Sequence, residues 1–153
     1  MIGVIRDMFH FLSQSDITLQ DVSKRVGPIA HDPGGRMPLE LRSILPGVRT
    51  ASLARYPGSN VPYILDLTPA PDARPTAAKL KTFLGEYRRA RTDMGRPWKL
   101  VFHPSTDEES CPVAVIADLQ PDAPDLESAP ITRVAFRRDS GVDAENPPNN
   151  DAP

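Results

Sequence analysis

This sequence predicts an α+β fold, a mainly antiparallel sheet of about five strands with helices packed on one face, in the order α-α-(short α)-β-β-α-β-β-β. Three observations carry that prediction. Strand-like segments follow one another through tight turns and polar loops, not through the helical crossovers that parallel strands need. No glycine-rich turn recurs with a βαβ rhythm. The stretch 75–92 (PTAAKLKTFLGEYRRART) has strand-like segments on both sides, and its apolar stripe of Leu80, Phe83, Leu84 and Tyr87 is placed to cover their sheet.

A chain of 153 residues is one domain's worth. At that size folding buries roughly 68–70% of the unfolded surface, so no disulfide or metal staple is required. An apolar fraction of 39% with 18 prolines points to an ordinary core carrying polar, proline-rich appendages. The expected division is a single domain over residues 1–138 and a disordered acidic, proline-rich tail over 139–153. That tail holds four acidic residues and no basic one against a net charge of −2 for the whole, so residues 1–138 carry about +2.

Along the chain, Ile2, Ile5, Met8, Phe9 and Leu12 have the spacing of a short amphipathic helix. Thr18 and Asp21 form a capping pattern, with Ile17 and Val22 placed as a staple and Gly27-Pro28 as the stop, which predicts a helix over 18–26. HDPGGR (31–36) reads as a loop. PLELRSILPG (38–47) reads as a short helix with Leu41, Ile44 and Leu45 inward.

Residues 48–56 and 61–67 form a hairpin across a type II turn at Pro57-Gly58, with Pro62 marking an edge or a bulge. Thr76 caps the helix of 75–92, and Gly85 sits inside it. After the turn RTDMGRP (91–97), WKLVFH (98–103) is a strand. PVAVIADL (112–119) is a central strand buried on both faces, and ITRVAFRR (131–138) is an edge strand with one wet face. No internal repeat is legible.

Few residues offer chemistry. Cys111 with His103 is a Cys/His pair near in sequence, but a catalytic thiol needs an electropositive setting and an orienting third group. The plainer reading of Cys111 is a small residue at the start of a strand, and as a lone cysteine it forms no internal disulfide. His10, His31, Asp32 and His103 lack zinc-site spacing. Asp107, Glu108 and Glu109 lack the alternating ligands and central glycine of a calcium loop. Asp66 and Asp118 lie within strands. On neighbouring strands they would make a carboxylate pair suited to acid/base work; otherwise they face water or an arginine such as Arg133. No nucleophile elbow, Walker loop or dinucleotide fingerprint is present, and no cofactor is expected.

The densest basic segment holds Lys79, Lys81, Arg88, Arg89, Arg91 and Arg96. The function expected from these features is a small non-catalytic protein-binding module: an adaptor, a secretion chaperone, or an immunity or antitoxin-like inhibitor. Arg88, Arg89, Arg91, Arg96, Asp107, Glu108 and Glu109 are the candidate partner-binding residues, because complementary charge speeds and selects protein encounters. The alternatives are an enzyme with an acid/base site on the sheet and, less favoured, a nucleic-acid binder through the arginines. The second is weakened by the net negative charge and the 6% aromatic content. The first 16 residues lack a basic leader and a cleavage motif, and no apolar run reaches the roughly 20 residues of a membrane span. Another protein is thus the expected partner, away from membranes, in a bacterial cytoplasm.

Overall fold

The computed structural model describes residues 1–56, 58–90, 99–107, 109–121 and 123–139. It is an α+β fold with one antiparallel sheet of eight strands, not five, in the order β1-β2-β3-β4-β8-β7-β6-β5. Of the expected tail only Asp139 is described; residues 140–153 lie outside.

Helix α1 spans Ile2–Leu12 and buries Ile5, Met8, Phe9 and Leu12, the stripe its spacing implies. Helix α2 spans Leu19–Val26. Thr18 Oγ1 accepts the Asp21 N–H at 3.2 Å and Asp21 Oδ2 accepts the Thr18 N–H at 2.9 Å, so two orphan donors are satisfied reciprocally.

The chain then departs from expectation. Residues 38–47 form no helix. Ile29–His31 is strand β1 and Leu39–Leu41 is strand β2, antiparallel to each other. Leu39 and Leu41 alternate about exposed Glu40 and pair with Leu53 and Ala51. A period of two buries both leucines on a sheet, whereas a helical turn would also need Ile44 inside, and Ile44 is 64% exposed.

Strands β3 (Val48–Arg55) and β4 (Pro62–Pro69) make the expected hairpin. The Ser59 N–H donates to Tyr56 O at 3.1 Å and Gly58 has φ +71°, as a type II turn requires; Pro57 is outside the described residues.

Helix α3 covers only Ala77–Leu84, capped by Thr76. The expected helix to residue 92 is wrong over 85–90, and residues 91–92 lie outside the described residues. Gly85 adopts φ +85°, which ends the helix, and Tyr87–Ala90 is strand β5 on the sheet edge. Strands β6 (Lys99–Phe102), β7 (Val113–Leu119) and β8 (Ile131–Arg138) complete the sheet. β8 is not an edge strand. Arg133 and Arg137 do face outward, but the β8 backbone is paired on both sides, with β4 and β7.

One cluster of buried side chains joins all three helices to one side of the sheet, through Leu39, Leu41, Leu53, Leu65, Leu67, Leu100, Phe102, Val115, Val134 and Phe136 among others. No described helix packs on the opposite side.

The register also reveals a repeat. After α1 the chain runs α-β-β-β-β twice, and β4 and β8 meet antiparallel at the centre. Leu39 pairs with Leu53 and Leu41 with Ala51. Leu100 pairs with Ala117 and Phe102 with Val115 in the same relation. Leu53 pairs with Leu65, and Ala117 with Val134. At the outer edges Ile29 pairs with Leu41 and Tyr87 with Phe102. The helices match as well. Thr18, Val22, Val26 and Gly27 have the spacing of Thr76, Leu80, Leu84 and Gly85, and each helix start docks on the connector before its last strand (Leu19 N–H to Asn60 O, Ala78 N–H to Glu127 O).

Candidate functional site

The helix-free face of the sheet gathers the polar side chains the strands do not bury. Strand pairing places Glu40, Ser52, Asp66, Ala135, Ile116, Val101 and Arg88 in one row across seven strands. Val101, Ala114 and Ala135 are buried in it, and Ile64 and Ile116 are half-buried. The centre of this face is thus a shallow apolar strip within a charged border, with Arg137 standing between Ile64 and Ala114 and paired to Asp139.

The border is organised by Arg133. Its Nε donates to Asp66 Oδ1 at 2.5 Å and its Nη1 to Asp118 Oδ2 at 3.4 Å, and Lys99 Nζ lies 3.7 Å from Asp118 Oδ1. These four side chains come from β4, β8, β7 and β6. The guanidinium is held above its ordinary value, chiefly by the hydrogen bond to Asp66; burial opposes this, and the Asp66 and Asp118 charges add to it. Asp66 and Asp118 therefore do not form the carboxylate pair that acid/base work needs. They lie two strands apart, with an arginine between them.

Beside this network the face dips into a trough of about 630 Å³. Glu40 and Arg42 line it from β2 and the residues after it, Arg49 and Thr50 from β3, Asp66 from β4 and Arg133 from β8. Arg42, Arg49 and Glu40 are exposed. A hollow of about 450 Å³ between α1 and α2 brings no convergent chemistry; its Arg25 lies over the Phe11 ring at 4.8 Å.

The other sequence candidates scatter. Arg88 and Arg89 are exposed on β5, but Arg88 sits opposite Val101 and Arg89 opposite Leu100, so they project from different sides of an edge strand. They do not form the single basic helix end that the sequence suggested. Arg91, Arg96 and Glu108 lie outside the described residues. Asp107 and Glu109 are exposed in the β6–β7 connection. Cys111 is buried and its N–H donates to Ser13 O at 2.8 Å, while His103 is exposed. Among the described residues no group of three or more His, Cys, Asp or Glu side chains is placed to hold a metal ion. No described helix is long and apolar enough to cross a membrane.

Two clusters escaped the sequence reading. Arg138 is 2% exposed, and its Nε, Nη1 and Nη2 donate to Leu12 O (2.8 Å), Pro62 O (3.0 Å) and Gln14 O (2.9 Å). It ties the carbonyl end of α1 to the last strand and to β4. Its position on the core face beside Val134 and Phe136 is the signal that alternation alone supplies. Tyr87 donates from its hydroxyl to Glu127 Oε1 at 2.7 Å, with Lys81 Nζ 3.9 Å from the same carboxylate oxygen. Desolvation first, then the hydrogen bond to Glu127, push the phenol up to about 12.

Comparison of the chain with protein-family models, with curated proteins and with solved structures returns no match.

Proposed function

We propose that this chain is a small non-catalytic protein-binding module, of the adaptor, secretion-chaperone or immunity-inhibitor kind, that receives its partner on the helix-free face of the sheet. The observation that carries this reading is the make-up of that face. Its apolar strip of Val101, Ile116 and Ala135, with Ile64 and Ala114 flanking Arg137 beside it, is bordered by Asp66, Arg133, Asp118, Lys99 and Arg88. An apolar centre with a charged rim is the anatomy of a protein interface: the centre supplies burial and the rim supplies steering and register. Arg88 on the edge strand and the acidic Asp107 and Glu109 remain candidate rim contacts, whereas Arg89 projects from the helix side.

The test is affinity capture from the source cell with the full chain and with Ile116→Glu, which places a charge at the centre of the strip and whose folding is checked by circular dichroism. The captured partner should be lost with Ile116→Glu and retained with Arg6→Glu on the exposed side of α1. Retention by all three proteins, or turnover of a substrate that depends on Asp66 or Asp118, would remove the reading.

A further inference from the structure

We propose that the trough between β2, β3, β4 and β8 seats an acidic, extended segment of the partner protein, with Arg42 and Arg49 as the residues that select it. This rests on the binding reading above and gives its partner a chemistry.

Arg49 is the extra residue of a β-bulge. Val48 pairs with Pro69 and Thr50 with Thr68, so β3 uses one more residue than β4 between those pairs. The corresponding stretch of β7 pairs Val113 with Arg138 and Ala114 with Arg137 without interruption. Arg49 therefore has no counterpart in the second half of the chain. A bulge re-aims the side chains around it, and here both Arg49 and Thr50 line the trough.

Much of the trough's polarity belongs to the first half, with Arg133 added from the second and Thr68 alone matched there by a polar residue, Arg137. Matching the two registers sets Glu40, Thr50, Ser52, Asp66 and Thr68 against Val101, Ala114, Ile116, Ala135 and Arg137. Matched core positions in the two halves are apolar except for Arg138, which stands against Pro69, so the fold does not demand polar residues at the trough positions.

Charge decides what the trough accepts. Arg133 is already divided between Asp66 and Asp118. Among the described residues Arg42 and Arg49 make no ion pair, so both keep a full fork of donors, and a carboxylate matches that fork with two parallel hydrogen bonds. Ser43, Thr50, Ser52 and Thr68 supply hydroxyls that bond carboxylates or peptide carbonyls equally well. Among the described residues Glu40 is the one carboxylate on the wall without an ion pair, and it opposes an acidic ligand. Size favours a peptide over a small anion. Four strands at about 4.8 Å spacing set the trough's span at roughly 14 Å, which an extended segment of about four residues covers at ~3.3 Å each.

The probe is a fluorescein-labelled octapeptide of alternating Glu and Val, with its Gln/Val counterpart as control, titrated against the full chain by anisotropy and mapped by amide NMR shifts. The Glu peptide should bind, weaken as salt rises, and shift residues 40–52 together with Asp66, Thr68 and Arg133. Arg42→Glu with Arg49→Glu should weaken binding by at least about tenfold, since two charge-assisted contacts become repulsions. Arg42→Lys with Arg49→Lys should weaken it about threefold by keeping the charge and losing the fork. Glu40→Gln should strengthen it.

Equal binding of the Gln peptide, shifts centred on Arg88, indifference to the double reversal, or equal competition by oligothymidylate would each overturn the proposal. Failure here is separable from failure of the binding reading. A captured partner lost with Ile116→Glu but held by the double reversal overturns only the trough. A partner indifferent to both overturns the two together.

Discussion

Arg133 and Arg138 lie five residues apart on one strand and have opposite fates. Arg138 is fully buried and satisfies three backbone carbonyls, two of them at the end of α1. Arg138→Ala should cost about 3 kcal/mol or more in a urea titration, because each buried carbonyl left without a donor costs on the order of 1–3 kcal/mol. Arg133 bridges Asp66 and Asp118 from a side chain that is 42% exposed. Water and salt screen that pair, so Arg133→Ala should cost only about 1 kcal/mol.

Tyr87 gives a pH prediction. Its folded value is raised to about 12 from an ordinary 10.0, so the folded state holds the phenolic proton more tightly than the unfolded chain does. Its contribution to stability is complete below pH ~10 and is lost as pH rises toward ~12. Absorbance titration should find one phenol ionising near 12. Tyr87→Phe should delete that phase, and Glu127→Gln should move it down.

At the level of elements, α2 and α3 form a matched pair whose terminating glycines differ in surroundings. Gly85 has φ +85° with no heavy atom within 4 Å of an added Cβ, so Gly85→Ala should cost about 1 kcal/mol from backbone strain alone. At Gly27, with φ +148°, an added Cβ would meet Arg42 O at 1.8 Å. Gly27→Ala should therefore destabilise far more, by several kcal/mol, since that atom belongs to the backbone leaving β2. Thermal melts of the two variants check the ordering. Along α3, Leu80 is 0% exposed and Phe83 only half-buried. Leu80→Ala should cost about 2–5 kcal/mol and Phe83→Ala less, although both belong to the same apolar stripe. Arg88→Ala, exposed on β5, should stay within about 0.5 kcal/mol.

Across the whole molecule, a sheet of two matched halves carries the helices on one face and, among the described residues, no helix on the other. If that second face receives a charged partner, association should slow as salt rises. Exposed charges separated by more than the Debye length, about 8 Å at physiological ionic strength, are largely screened. Stopped-flow association with the captured partner should show that dependence, and dissociation should show far less of it. Constant association rates across salt would point to an interface built from the apolar strip alone.

The sequence by itself determined the class of fold, both N-terminal helices, the hairpin at Gly58 and the limits of β8. Each of these rests on local chemistry: the reciprocal cap of Thr18 and Asp21, a 3.6-residue stripe, a glycine at positive φ, alternation along ITRVAFRR. Tertiary structure decided the rest. Tyr87 to Ala90 continue a helical pattern in isolation and become a strand because β6 offers them a ladder. Leu39 and Leu41 are ambiguous until Leu53 and Ala51 stand opposite. The trough draws on residues 30 to 133, and Asp66, Arg133 and Asp118 meet only because β8 enters between β4 and β7. The two-fold repeat is likewise a matter of register, carried in sequence by little more than Thr-x₃-Val-x₃-Val-Gly and Thr-x₃-Leu-x₃-Leu-Gly. Strand order depends on pairing between distant segments, and the period of two says which side chains share a face but not which strands are neighbours.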